Sequence, residues 1–418
     1  MPARPQHVHL LSMHTSPLAQ PGVGDAGGMN VYVAHLSREL AGAGIPVTVW
    51  TARRTGNEPD HVNVAEGLDV RHVALPGTRP GAVGKNDLRH HIDAFAEAVV
   101  AAAGGAEGQL VHAHYWLSGL AGLQVAEGLG APLVTSLHTT AHVKNLRASV
   151  GEDPEPDFRI DGEHQVVEGS DAVVVNTATE ARQMVELYGA RPEQLRVITP
   201  GIDPTVHHPP MPDPRDAAAT DLAQGAEGAE PVDPRPVEVL MAARLQPLKG
   251  PGLLVEAIRL LVREGLPVHA TIIGNGDPDY LGRLRSRVSQ YGLESRIRFV
   301  HAQPAGELAA RMGAADIVAV PSSSETFGLV ALEAQGCATP VVASRIDGLT
   351  EAVLDGTTGV LVADRTPEAW ARALGGLVRD PALRRRLGRA AAERAGAMTW
   401  ATTADRTAEL YAEVLTRH

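Results

Sequence analysis

"VEVLMAARLQPLKGPGLLVEAIRLLVREGLPVHATIIG", residues 237–274, contains a whole folding unit. Its first run, 237–244, is short and apolar, as a buried strand is. Residues 251–265, "PGLLVEAIRLLVREG", place leucine, valine and isoleucine at helical spacing, open on proline and stop at glycine. "PVHATIIG" (267–274) is strand-like again. A strand, a helix and a second strand predict a parallel pair with the helix packed across it.

The same alternation extends in both directions. "RIRFV" (296–300), "DIVAVPS" (316–322) and "PVVAS" (340–344) are further strand candidates, and 366–416 reads as helices. Upstream, "HVHLLSM" (7–13), "PVTVW" (46–50), "QLVHAH" (109–114), "APLVTSLH" (131–138), "DAVVVN" (171–176) and "LRVITP" (195–200) read as strands. "MNVYVAHLSRELAGAG" (29–44) reads as a helix. Between the two series, 209–236 is rich in Pro, Ala, Gly and acidic residues and poor in apolar ones, as a linker or surface excursion is. The expected fold class is α/β: two Rossmann-like parallel-sheet domains, 1–208 and 237–399, facing across a cleft. The helix over 400–418 is expected to pack back on the first domain. Ligands of open α/β sheets bind beyond the carboxyl ends of the strands, so the residues that follow each strand are the candidates.

Composition narrows the class. The chain has 418 residues and a formal net charge of −12. It carries no basic stripe of the kind that binds nucleic acid. A single cysteine, Cys337, excludes an internal disulfide and suits a reducing cytoplasm. No signal-like N-terminus and no membrane-length apolar run is found, so a soluble protein without a membrane partner is expected. Of 37 basic residues only Lys85, Lys144 and Lys249 are lysine, a bias that either codon usage or a need for a compact ammonium at those positions explains.

Five stretches follow strands. "HTSPLAQPGVGDAGGMN" (14–30) carries Gly22, Gly24, Gly27 and Gly28 ahead of a helix, which suits backbone amides approaching a phosphate or sugar, although the spacing is not the dinucleotide fingerprint. "HAHYWLSG" (112–119) and "SLHTTAHVKN" (136–145) bring histidines to successive strand ends, including His138 and His142, without zinc-site spacing; no metal site is expected. "ARLQPLKG" (243–250) brackets a loop with Arg244 and Lys249, two cations suited to a diphosphate. In "SSSETFGLVALEAQG" (322–336), a helix starting near Phe327 would leave the amides of Phe327, Gly328 and Leu329 open to a phosphate. Glu325 would then lie just outside the helix and Glu333 about two turns in, roughly 10 Å apart along the axis. A hydroxylated group on each side of a diphosphate is the shape of a nucleotide sugar.

"ETFGLVALE", "ARLQPLKG" and the N-terminal glycine-rich loop together resemble glycosyltransferase family 4, retaining hexosyltransferases of the GT-B fold, over nearly the whole chain. "SMHTSPLAQPGVGDAGGMNVYV" and "HYWLSGL" resemble more narrowly the subgroup that moves N-acetylglucosamine from UDP-GlcNAc to 1D-myo-inositol 3-phosphate in mycothiol biosynthesis. The resemblance implies that Arg244 and Lys249 hold the diphosphate, Glu325 the donor sugar and Glu333 the ribose. His14, Gly28 and Asn30 would border the junction of donor and acceptor, and His138 would stand beside the reacting sugar. Lys85, Tyr115, Thr139 and Arg159 would hold the acceptor phosphate. It implies no cofactor for the chemistry, leaves Mg and homodimerisation open, and gives Lys144 and His142 no role.

The chain departs from the family pattern around donor recognition, at "GNGDPDY" (274–280), "IDGLT" (346–350) and Gln303, where the family has an arginine. These departures keep open a divergent relative in an antibiotic or other secondary-metabolite pathway, with a GDP-linked or other sugar and an acceptor such as a thiol metabolite. A GT-B epimerase and a non-catalytic sugar-binding protein are the remaining rivals. A nicotinamide-dependent oxidoreductase is disfavoured by the missing fingerprint.

Overall fold

A computed structural model describes residues 4–22, 26–54, 57–77, 84–105, 107–147, 153–210 and 235–418. Most of the proposed linker lies outside the described residues. The chain forms two units. The first comprises Met1–Gly201, Ser324–Leu329 and Met398–His418; the second comprises Ile202–Ser323 and Val330–Ala397.

The first unit holds an eight-stranded sheet. In chain order its strands are β1 (His7–Leu11), β2 (Val47–Ala52), β3 (His61–Ala65), β4 (Leu68–Val73), β5 (Gln109–His114), β6 (Leu133–Ser136), β7 (Ala172–Val175) and β8 (Leu195–Val197). They lie in the order β3-β4-β2-β1-β5-β6-β7-β8. All neighbours are parallel except β3 and β4. Every residue of β2 and β5 is buried, which a strand covered on both faces requires. The β3–β4 hairpin escapes the sequence reading because "HVNVA" is polar and alternates between exposed and half-buried positions, as an edge strand does.

The second unit holds a six-stranded parallel sheet: β9 (Val237–Ala242), β10 (Val268–Ile273), β11 (Ile297–Val300), β12 (Ile317–Val320), β13 (Val341–Ser344) and β14 (Gly359–Val362). Their order is β11-β10-β9-β12-β13-β14. The opening stretch behaves as its periodicity predicts. β9 and β10 pair in parallel from Val237↔Val268 to Ala242↔Ile273, joined by the helix Pro251–Arg263. That helix buries Leu254, Val255, Ala257, Ile258 and Leu261. Each large aliphatic among them contributes about 1.5–3 kcal/mol by leaving water.

In each sheet the chain reverses its direction of travel once: at β1/β5 in the first and at β9/β12 in the second. Those switch points are where open α/β sheets place ligands. The C-terminal helix, Trp400–Arg417, belongs to the first unit. Trp400, Leu410, Tyr411 and Val414 join its core, and the buried Tyr411 hydroxyl meets His112 Nδ1 at 2.6 Å. No helix among the described residues is long and apolar enough to cross a membrane.

Candidate active site

The first unit brings the residues that follow β1, β5 and β6 together. Asn30, in the first turn of the helix Gly28–Gly42, is almost fully buried. Its Oδ1 accepts from the Gly27 amide at 2.9 Å, and its Nδ2 donates to Thr15 Oγ1 and to the Ser16 carbonyl, each at 2.7 Å. Asn30 therefore shapes the glycine-rich turn. Gly28 stands against Leu329, whose Cδ1 would lie 3.5 Å from an added Cβ. Gly24 falls outside the described residues.

Tyr115 is the hub of this side. It directly follows β5 and adopts φ +79°, a costly conformation for a non-glycine residue that caps the helix Trp116–Leu129. Its ring centroid lies 4.5 Å from that of His14, 4.4 Å from Lys85 Nζ and 5.0 Å from the Arg159 guanidinium carbon. Two cations and one phenol thus converge at the carboxyl end of β5, an arrangement suited to an anion. His14 is buried, and burial, then Lys85, hold its imidazole well below the ordinary value, so it is neutral there.

Arg159, in the helix Asp157–Gly169, is only 1% exposed. Its Nε donates to Glu163 Oε1 at 2.8 Å, its Nη1 pairs with Glu155 Oε2 at 2.8 Å, and its Nη2 donates to the Thr139 carbonyl at 3.0 Å and hydroxyl at 3.3 Å. Burial works against its charge, but Tyr115, Glu163 and Glu155 more than offset this. Lys144 pairs with the same Glu155, so the third lysine supports the anchor of Arg159. Glu163 also accepts from the Ala141 amide at 2.8 Å and the Tyr188 hydroxyl at 2.5 Å. His142 packs against the rings of Tyr188 and His164, 5.1 and 5.8 Å away.

His138 follows β6 with φ +61°, another left-handed non-glycine residue. Its Nε2 lies 2.9 Å from His114 Nδ1, and its carbonyl accepts from the Thr326 hydroxyl. Burial pushes its imidazole down to about 3. His114 was not distinguished from its neighbours by sequence; the only available signal is that His112 and His114 share one face of β5 by alternation. Glu325 lies in the same segment as Thr326, within the first unit.

One expectation is corrected. The helix near Phe327 begins at Leu329 and runs only to Gly336. Gly328 has φ +99°, which breaks helical geometry ahead of Leu329, and the Phe327 side chain is buried. The Phe327 and Gly328 amides therefore precede the helix, and Glu333 sits just over one turn into it rather than two. Glu325 and Glu333 are not separated by a continuous helical rise. Burial pushes the Glu333 carboxyl up, with His207 pulling the other way.

In the second unit the loop after β9 carries Arg244, half-buried, and Lys249, which ends a 3-10 turn, Pro247–Lys249. Gly250 has φ +76°, and a Cβ there would overlap the Pro321 carbonyl. This close approach ties the Lys249 loop to the end of β12, where the Ser323 amide donates to the Leu248 carbonyl at 2.7 Å. The loop after β10 joins them, since the Leu245 amide donates to the Asn275 carbonyl at 2.7 Å. Gln303 turns its amide back onto the carbonyl of His301 at 3.0 Å. Among the described residues no group of three or more His, Cys, Asp or Glu is arranged to hold a metal ion.

Known proteins resemble this chain in sequence and fold. Residues 27–201 match the family described as "Glycosyl transferase 4-like domain", and 227–394 match "Glycosyl transferases group 1". A protein of Jonesia denitrificans named D-inositol 3-phosphate glycosyltransferase is 44% identical over 412 residues, covering 96% of this chain and 95% of its own. One of the same name from Kineococcus radiotolerans is 45% identical over 428 residues, covering 97% and 95%. Among solved structures, a sucrose-phosphate synthase from Thermosynechococcus elongatus superposes with a TM-score of 0.85 at 29% identity, covering 99% of this chain and 100% of its own. The chain belongs to this family of group 1, 4-like glycosyltransferases: it is an enzyme that transfers sugars, built on the two parallel-sheet α/β domains of the GT-B fold.

Proposed function

We propose that the enzyme transfers N-acetylglucosamine from UDP-GlcNAc to 1D-myo-inositol 3-phosphate, with retention at the anomeric carbon. The observation that carries the acceptor is the pair of cations, Lys85 and Arg159, flanking the Tyr115 ring at the β1/β5 switch point. An anionic acceptor fits that chemistry, and near-full-length relatives are named for an inositol phosphate. Lys85, Tyr115, Thr139 and Arg159 take the acceptor phosphate. Arg159 serves both as ligand and as the post that holds the Thr139 segment.

Arg244 and Lys249 take the donor diphosphate. As the bond to the anomeric carbon breaks, negative charge grows on the leaving phosphate, and these two cations stabilise it; removing one such group typically costs on the order of 10²–10³ in rate. The acceptor hydroxyl attacks from the face the phosphate leaves, and a phosphate oxygen takes its proton, so no side chain need act as base. Glu325 orients sugar hydroxyls, Glu333 the ribose, and His138 lies beside the reacting sugar. The Phe327, Gly328 and Leu329 amides are further donors to the diphosphate, and His14, Gly28 and Asn30 build the wall where donor and acceptor meet. The second unit is the nucleotide-sugar domain and the first the acceptor domain, in a cytoplasmic pathway.

The test is product mass spectrometry over a panel of UDP- and GDP-linked sugars with inositol 3-phosphate, inositol and small thiols, followed by proton NMR of the anomeric centre. N-acetylglucosaminyl inositol phosphate of α configuration is expected from UDP-GlcNAc alone. Transfer only from a GDP-sugar, or an inverted product, would overturn the reading. So would full activity in a Glu325→Ala, Lys249→Ala double variant.

A further inference from the structure

We propose that His114 is a positioning residue that holds His138 in one tautomer, protonated at Nδ1, so that His138 presents a neutral N–H to a ligand oxygen. This rests on the reading that His138 lies beside the reacting sugar. The geometry starts with the contact of 2.9 Å between His114 Nδ1 and His138 Nε2. The two rings are nearly parallel, with centroids 5.2 Å apart. A hydrogen bond between two neutral imidazoles needs one proton between these atoms, and each ring carries its single proton on one nitrogen. Only two arrangements exist. Either His114 donates and His138 keeps its proton on Nδ1, or His138 donates and His114 carries its proton on Nε2.

The surroundings of His114 decide between them. His114 is fully buried, and its Nε2 has no hydrogen-bond partner among the described residues. The neighbouring His112 is already engaged at both nitrogens, with Tyr411 at 2.6 Å and Ser136 at 2.9 Å. A buried N–H without an acceptor is the rarer and costlier defect; a lone pair without a donor is better tolerated. The proton of His114 therefore belongs on Nδ1, donated to His138. His138 then bears Nδ1–H; His138 is only half-buried where His114 is fully buried, so this N–H does not carry the same cost.

The rest of the site keeps that ring in place. His138 holds its left-handed backbone at φ +61°, a strained conformation that persists where surroundings enforce it. The Thr326 hydroxyl bonds its carbonyl, and Tyr32 packs edge-on against its ring at 5.0 Å. Burial keeps both imidazoles uncharged, which preserves a donor without adding a cation beside a sugar that develops positive charge.

The experiment is a long-range proton–nitrogen NMR spectrum of the full chain with histidine rings labelled, His138 being assigned by its loss in His138→Asn. The expected wild-type spectrum shows pyrrole-type Nδ1 and pyridine-type Nε2 for His138. In His114→Phe, a ring of similar size that cannot donate, His138 should shift to a tautomer mixture. kcat should fall on the order of 10-fold with both KM values little changed, the sign of a transition-state interaction. His114→Asn, whose amide N–H can replace Nδ1–H, should restore the tautomer and most of kcat. A wild-type His138 protonated at Nε2 overturns the proposal without reference to any variant. So does an unchanged tautomer and kcat in His114→Phe. Absence of any sugar transfer would instead overturn the parent reading and leave the tautomer result standing.

Discussion

Replacing Arg159 with methionine tests the most heavily bonded part of the site. The guanidinium is 1% exposed and Glu163 is fully buried, with 2.8 Å between Nε and Oε1. Removing the cation leaves a buried carboxylate uncompensated, a change that costs about 3–5 kcal/mol in such settings. Glu163 keeps its bonds from Ala141 and Tyr188, and Glu155 keeps Lys144, which places the loss near the lower end, about 3 kcal/mol. For a unit of this size that is a fall of roughly 6–12 °C in midpoint. Tryptophan fluorescence during urea unfolding reports it well, because Trp50, Trp116 and Trp400 lie in the first unit and only Trp370 in the second. Adding Glu163→Gln removes the stranded charge. The double variant should therefore recover about 2 kcal/mol, a coupling within the range for directly bonded pairs. Acceptor binding should stay impaired in both, since the guanidinium is absent from both. A loss below about 1 kcal/mol, or no recovery in the double variant, would refute the claim that Arg159 and Glu163 are coupled through buried charge.

Three further outcomes are expected. Lys85→Met should raise the KM of an anionic acceptor by about 10–100-fold with little change in kcat, reflecting one lost charge-assisted contact; steady-state kinetics with the acceptor varied would contradict this if only kcat moved. Gly250→Ala must accommodate φ +76° and an overlap with the Pro321 carbonyl. Together these cost about 2–4 kcal/mol; the urea midpoint should drop and kcat/KM should fall with the displaced Lys249 loop, and a fully stable variant would show that the approach is soft. Burial tends to raise the Glu155 carboxyl, but Arg159 and Lys144 hold it below the usual 4.5. Its contribution is then present above that value and lost as pH falls through the depressed one, so the stability gap between wild type and Glu155→Gln should narrow as pH falls from just above 4.5 through the depressed value. A gap independent of pH would refute the assignment.

What could be read from sequence here is what local periodicity encodes. The strand and helix over 237–274 differ in apolar repeat, and their order alone implies a parallel crossover, a class of fold with its ligands at strand ends. Arg244, Lys249, Glu325 and Glu333 were singled out because they fall in short motifs that follow β9 and β12, and their roles belong to the proposal. The β3–β4 hairpin and β14 were not read from sequence: β3 is an edge strand whose exposed and half-buried residues alternate, and β14 is a four-residue run that owes its form to pairing with β13. Strand order, and with it the two switch points, is a property of the folded sheet. The start of the helix at Leu329 depended on Gly328 adopting positive φ, a state glycine permits but no sequence requires. The resemblance implied a phosphate ligand at Arg159; only packing showed that Glu155 and Glu163, close to it in sequence, hold it. His114 ends β5 and His138 follows the adjacent β6, and the proton between them is placed by the burial of an atom, His114 Nε2, that sequence leaves indistinguishable from any other. Local chemistry thus specified most of the elements, whereas long-range packing decided which polar groups engage one another.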